Sequence, residues 1–164
     1  MPVPPVVRRL LPWAGLLARL VVGGVWIAAG ALKLPDPAES VRAVRAYRLL
    51  PEATVHAVGY GLPALEIIVG IMLILGLGTR IVAAISAVLL TLFIIGITSA
   101  WARGLQIECG CFGGGGYAED ATSQYPWEIA RDVGLLLGSL LLVAFPRTKL
   151  SLDGWLLPEV RSAT

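Results

Sequence analysis

The sequence predicts an all-α fold: an integral membrane four-helix bundle with a short interfacial helix between the first and second spans. Three observations carry this. The 164 residues are 57% hydrophobic and only 15% charged, where a soluble domain has ~45–50% apolar and ~25% charged residues. Mean hydropathy is +0.80. Four stretches, about 13–32, 55–77, 81–100 and 127–145, reach the roughly 20 mostly apolar residues that cross a bilayer core as a helix.

In the first stretch Arg19 interrupts the apolar run, Arg8 and Arg9 precede it, and Ala29-Gly30-Ala31 resembles a small-residue cleavage site. A signal peptide has these marks too, but the length of the run favours an uncleaved first span. Next comes Pro35-Asp36-Pro37-Ala38-Glu39. Asp36 suits an N-cap, Pro37 the first helical position and Glu39 a capping box. A short helix is expected to run to about Leu50, with Val41, Val44 and Tyr47 on one side and Arg42, Arg45 and Arg48 on another. That pattern fits a helix lying in the membrane interface, and equally a solvated loop helix that caps the bundle. The second and third spans are separated only by Gly78-Thr79-Arg80, so they should be antiparallel neighbours. Residues 103–126 form the longest loop. It holds both cysteines in Glu108-Cys109-Gly110-Cys111-Phe112-Gly113, then the glycine run 113–116. No Lys or Thr completes a phosphate cradle there, so the glycines read as flexibility.

Four spans put both termini on one side with Arg80, and the Cys loop on the other with the loop 35–54. Basic residues outside the apolar runs are nearly balanced: Arg8, Arg9, Arg80, Arg147, Lys149 and Arg161 against Lys33, Arg42, Arg45, Arg48 and Arg103. The small excess favours cytoplasmic termini. A dithiol facing the cytosol would be held reduced, whereas one facing outward can cycle. The expected placement is therefore the plasma membrane, multi-pass, with cytoplasmic termini and an extracytoplasmic Cys loop.

Ionisable residues at membrane depth are costly, face the bundle interior and are functional candidates by default. Lys33, Glu66, Arg131 and Asp132 all fall in the Cys-bearing half, which predicts a polar cavity beneath the Cys loop; Arg19 falls in the other half. Glu66 has Pro63 one turn earlier and Gly59, Gly61 and Gly70 around it, which permit close helix approach. Unpaired it would be protonated; paired with Arg131 it would stay ionised. A structural lock and a proton-handling role both fit. Asp132 follows Arg131 directly, about 100° round the helix, so one of the two is expected to serve the interface.

Cys109 and Cys111 are the only thiols. Separated by one residue, they can bond only if the backbone bends, and Gly110 permits the bend. The small ring should be strained and oxidising, as in exchange-active pairs, and too short to act as a staple. Arg103 would lower a thiol pKa and Glu108 would raise one. His56 and one Cys-X-Cys lack the usual zinc spacing, so no metal is expected. The net charge of +2 and the lack of a basic block interleaved with aromatics argue against nucleic acid. Lipid is the expected surroundings.

Gly30-Ala31-Leu32-Lys33, the Tyr47–Pro51 stretch, Pro63 with Glu66 and Gly70, Cys109-Gly110-Cys111-Phe112-Gly113, and Arg131 together resemble the DoxX-like membrane proteins, most specifically the methylamine utilisation protein MauE group. The resemblance spans about 12–145, and the Cys-Gly-Cys-Phe-Gly element is its most specific part. It implies a four-helix membrane protein that supports disulfide formation in the methylamine dehydrogenase small subunit beside a thioredoxin-like extracytoplasmic partner. By analogy with other four-helix thiol oxidases, quinone is the implied electron acceptor. The glycine run after Phe112 and Asp132, where Asn is expected, depart from the pattern. The leading expectation is thus a membrane thiol–disulfide oxidoreductase with Cys109 and Cys111 as the exchanging pair and Glu66, Arg131, Lys33 and Asp132 in support. Its rival is a non-catalytic scaffold that recruits redox partners. A transporter is disfavoured because four helices leave little room for inverted halves, unless small-residue faces build a homo-oligomer.

Overall fold

A computed structural model of the chain describes residues 5–146, 148 and 150–152, with side chains from residue 10. It is all-α, and five helices follow in order: α1 (Pro5–Lys33), α2 (Pro37–Ala46), α3 (Glu52–Leu75), α4 (Thr79–Ala102) and α5 (Ala121–Ala144). Three are both long and apolar enough to cross a membrane, over Leu10–Lys33, Glu52–Leu75 and Thr79–Ala102. The fourth expected span, α5, has the same 24 residues as α3 and α4 but carries Glu128, Arg131 and Asp132. Each long helix starts before its hydropathy run, because helical hydrogen bonding continues past the point where the side chains turn polar, whereas α3 and α5 end two residues and one residue short of theirs. Arg147, Lys149 and Arg161, used above in the charge balance, lie outside the described residues.

α4 shows why the chain needs lipid. Ile81, Ile85, Val88, Leu92 and Ile95 recur every three to four residues and are exposed, while Ala83, Ser86, Ala87, Gly96 and Ala100 are buried. Val82, Leu90 and Ile97 are buried among them, so large apolar residues cover the outer face as well as filling the inner one, unlike the polar outer face of a soluble helix.

The most extensive interface joins α1 to α3, and the next joins α4 to α5. A Cβ on Gly23 would lie 2.9 Å from the Gly70 carbonyl, and one on Gly30 would lie 2.6 Å from the Pro63 carbonyl. Moving along α1 therefore moves backwards along α3, so the two are antiparallel, with backbones close enough that no side chain fits between them. α3 and α4 are joined by a turn in which Gly76 and Gly78 take left-handed conformations at φ 70° and 56°. The turn begins two residues earlier than the sequence indicates, and these two helices share a smaller interface than α1 and α3 do.

Three buried polar links cross the apolar interior. Near one end Arg19, fully buried, donates to the carbonyls of Leu73 and Ile74 at 2.8 Å each and to Thr148 Oγ1 at 2.7 Å. It caps the C-terminus of α3, where a cation also meets the negative end of the helix dipole. Midway, Trp26 Nε1 donates to Ser86 Oγ at 2.8 Å, and Ser86 Oγ lies 2.9 Å from Ser139 Oγ, tying α1, α4 and α5 together. Towards the Cys loop, Lys33 Nζ donates to both oxygens of Glu66 at 2.6 and 2.8 Å, with both side chains out of solvent. The partner of Glu66 is thus Lys33 and not Arg131.

The short helix is four residues briefer than expected. Asp36 Oδ1 accepts from the Ala38 and Glu39 amides, as a cap should, but the helix stops at Ala46 and Arg48 turns left-handed at φ 51°. Its arginines are neutralised within the chain: Arg42 pairs with Asp36 at 2.9 Å, and Arg45 pairs with Glu52. The opposite face is gripped on two sides. Val41 fills the space that a Cβ on Gly59 of α3 would need, and Ala43 abuts Gly110 and Gly115 of the Cys loop. Of the two readings of this helix, capping the bundle is the one the packing supports.

Leaving one member of a buried ion pair alone costs about 3–5 kcal/mol, whereas replacing both with apolar residues is often neutral. Glu66→Leu should therefore lower the unfolding temperature in detergent sharply. Lys33→Met combined with Glu66→Leu should recover most of that loss in a double-mutant cycle, and additive losses would contradict a pairwise lock.

Candidate functional site

The Cys loop leaves α4 at Arg103 and is pinned before it reaches the cysteines. Antiparallel bridging pairs Ile107 with Tyr117, with Glu108 N–H donating to the Gly116 carbonyl at 3.0 Å and Ala118 N–H to the Gln106 carbonyl at 3.1 Å. From α5, the buried Tyr125 hydroxyl lies 2.7 Å from the Leu105 carbonyl and 2.9 Å from that of Ile107. The glycine run is not the flexible tether that composition suggests. A Cβ on Gly115 would sit 2.7 Å from the Glu39 carbonyl, so the run lets the loop lie directly on α2.

Within this frame Gly110 adopts φ 68° and bends the chain so that Cys111 N–H donates to Cys109 Sγ at 3.3 Å. Both cysteines are free thiols, Cys109 part-exposed and Cys111 buried. Tyr47 at the end of α2 donates to the Cys109 carbonyl at 2.9 Å, and burial followed by the nearby cysteines holds its phenol above the ordinary range, protonated and fixed as a donor. Arg103 does not reach the thiols; it donates to the Tyr47 carbonyl at 2.6 Å and the Ser99 carbonyl at 3.1 Å. The Cys109 thiol is pushed well up, first by the hydrogen bond with Cys111, then by burial, then by the Cys111 and Glu128 charges.

Two spaces meet at the pair. One, of about 330 Å³, is lined by Glu108, Cys109, Gly114, Gln124, Glu128 and Arg131 among others, and is a little more polar than apolar. The other, of only about 20 Å³, lies between helices and is lined by Trp26, Phe93, Cys111, Arg131 and Asp132 among others. A polar cavity by the Cys loop is therefore present. Of the four intramembrane candidates it gathers Arg131, with Asp132 beside the smaller space, while Lys33 and Glu66 are spent on each other at the α1–α3 interface.

Arg131 and Asp132 do not diverge as their 100° separation suggests. The long arginine folds back, donating from Nε and Nη2 to Asp132 Oδ1 at 2.9 and 2.8 Å, and its guanidinium lies 4.7 Å from the centroid of the Phe112 ring. Asp132 Oδ2 and Glu128 Oε2 are buried without a hydrogen-bond partner among the described residues. Glu128 is the site residue that sequence reasoning overlooked. It stands one turn before Arg131 and Asp132, a spacing that puts it on the same face of α5, and that signal was available. His56 lies elsewhere, on the exposed surface with Arg45 and Glu52.

Residues 11–145 match the model of the methylamine utilisation protein MauE family. The chain belongs to this family. The match runs from α1 to the end of α5 and includes both cysteines together with Arg19, Lys33, Glu66, Glu128, Arg131 and Asp132. No curated protein matches the chain, and no solved structure matches it.

The raised Cys109 pKa has a direct chemical consequence, since only a thiolate reacts with alkylating reagents and each pKa unit is about tenfold in thiolate fraction. At pH 8 the reduced MauE-family protein should alkylate at Cys109 more than about tenfold slower than free cysteine, and the gap should narrow above pH 9. Peptide mass spectrometry after timed quenching reads both rates; equal rates at pH 8 would contradict a Cys109 thiol held protonated.

Proposed function

We propose that this chain is a membrane thiol–disulfide redox protein whose Cys109–Cys111 pair supports disulfide formation in extracytoplasmic proteins. Membership of the MauE family implies a role in methylamine utilisation, and methylamine dehydrogenase maturation is the form of that role proposed here. The observation that carries the reading is the Gly110 bend, which aims the Cys111 amide at Cys109 Sγ beside a polar cavity. A loop built only to connect helices has no use for two thiols held in one turn, pinned by Tyr47 from one side and Tyr125 from the other.

In the oxidising direction a thiolate of a thioredoxin-like partner attacks Cys109 Sγ of the Cys109–Cys111 disulfide. The intramolecular S–S bond breaks and Cys111 leaves as a thiolate that takes up a proton. The partner's second thiolate then attacks its own sulfur in the mixed disulfide and releases Cys109, which takes up a second proton. Two electrons and two protons have moved, and the dithiol left behind is the state described above. A two-electron acceptor, quinone by class, must restore the disulfide. Attack at Cys109 follows from exposure, because Cys111 is buried at 8%.

A non-catalytic scaffold remains the second reading, favoured by the raised Cys109 pKa, which makes the resting thiol a poor nucleophile. Single substitutions separate the two. In membranes, Cys111→Ser should accumulate a mixed disulfide through Cys109, whereas Cys109→Ser should trap little or none. Unchanged disulfide content of the secreted proteins in both variants would leave only the scaffold.

The proposed orientation puts the Cys loop outside. On intact cells treated with reductant, a membrane-impermeant maleimide should label Cys109 at elevated pH to the same extent as in lysed cells; labelling confined to lysed cells would reverse the topology.

A further inference from the structure

Resting on that redox reading, we propose that Glu128 is the proton acceptor and donor for the Cys109 thiol during exchange. Three observations on the site converge on this carboxylate. Glu128 lines the same 330 Å³ cavity as Cys109. Its Oε2 is buried and finds no hydrogen-bond partner among the described residues, an arrangement that is costly unless the group serves a purpose. It is also close enough to Cys109, Tyr47 and Tyr125 for its charge to act on all three.

The other groups facing Cys109 are each committed. From α2, the Tyr47 phenol donates to the Cys109 carbonyl. From α5, the Tyr125 hydroxyl is held by the Leu105 and Ile107 carbonyls, and Arg131 is a cation bound to Asp132. From the loop itself, Glu108 also lines the cavity but is an exposed residue whose carboxylate is open to solvent, and Cys111 is the second member of the pair. Asp132 also has an unpartnered oxygen, but it borders the smaller space with Cys111, so among the described residues Glu128 is the carboxylate on the cavity of Cys109 with a buried oxygen to spare.

The proton balance follows. When the partner's second thiol displaces Cys109 from the mixed disulfide, its proton passes to the Glu128 carboxylate, the partner's own S–S bond forms, the mixed S–S bond breaks with the electron pair on Cys109 Sγ, and Glu128 hands the proton on to that sulfur. In reverse, when the Cys109 thiol attacks a disulfide R–S–S–R′, its proton passes to the Glu128 carboxylate, a new Cys109–S–S–R bond forms, and R′S⁻ leaves and recovers the proton. The group accepts in one direction and donates in the other, as microscopic reversibility requires.

A carboxylate beside a thiol can also act by charge alone, and the two roles have opposite signs. Removing a repelling charge makes the thiolate easier to form and speeds attack; removing a proton acceptor slows it. The test uses the full chain in detergent with Cys111→Ser, so that Cys109 is the sole thiol, and bis(2-hydroxyethyl) disulfide as oxidant, with adduct mass as the readout from pH 6 to 9. Glu128→Gln should slow adduct formation by about 10²-fold at pH 7, in the range of general acid–base effects, and make the rate rise tenfold per pH unit. Glu128→Ala should be equally slow and recover in added formate, a rescue that lost packing would not permit. A Glu128→Gln rate equal to or above that of the parent, or slow rates that formate leaves unchanged, would overturn the inference and leave the redox reading standing. No adduct from the parent at any pH would overturn both.

Discussion

The α1–α3 interface is held in register by buried ionic contacts towards its two ends, with glycine backbones pressed together between them. Lys33 and Glu66 share two hydrogen bonds out of solvent, and Arg19 grips the last carbonyls of α3. A charge inside a bilayer cannot be left without a partner, so each of these contacts admits one alignment of the helices. Shifting α1 by a single turn would move Gly23 and Gly30 off the Gly70 and Pro63 carbonyls and strand three ionisable groups in hydrocarbon. That pair of helices is the fixed wall to which α2 docks through Gly59 and Val41, and α2 in turn carries the Cys loop on Ala43 and Tyr47.

The site inherits its rigidity from this order of assembly. Cys109 and Cys111 sit on a loop, yet the loop is clamped by α2 on one side and α5 on the other. The fixed bend keeps the two sulfurs in different surroundings: Cys109 faces the wider, polar cavity with Glu128, and Cys111 faces the packed interior with Trp26 and Asp132.

Hydropathy located three spans and the length of the fourth, because membrane depth is written in composition along the chain. The Asp36 cap and the Gly110 bend were also legible, since each is set by the local chemistry of one or two residues. Partner choice was not. Depth places Lys33, Glu66, Arg131 and Asp132 in one half of the bundle, but azimuth decides which of them meet, and azimuth depends on helix contacts that glycines set. The 100° rule misled at Arg131 and Asp132 because it follows Cβ directions, whereas an arginine is long enough to curl back along its own helix. Glu128 was passed over for a similar reason: near a helix start a carboxylate reads as solvated, and only the fold of the Cys loop over it buries Oε2.

For the proposed redox cycle, the size of the inner space constrains how electrons can leave. About 20 Å³ beside Cys111 is room for roughly one water molecule and far too little for a quinone ring. The space is bounded by Trp26, whose indole is fixed by Ser86, and by Phe93, whose ring packs tilted at 55° against Trp26 with 5.8 Å between centroids. An acceptor dissolved in the membrane must therefore either part α1 from α4 and α5 at this point or meet the pair from the outer cavity. Parting them would break the Trp26–Ser86–Ser139 chain, which is costly in a medium with no water to replace the lost bonds. The outer cavity asks for no such break. Both the incoming thiol and the outgoing electrons are then served by the same mouth, at Cys109.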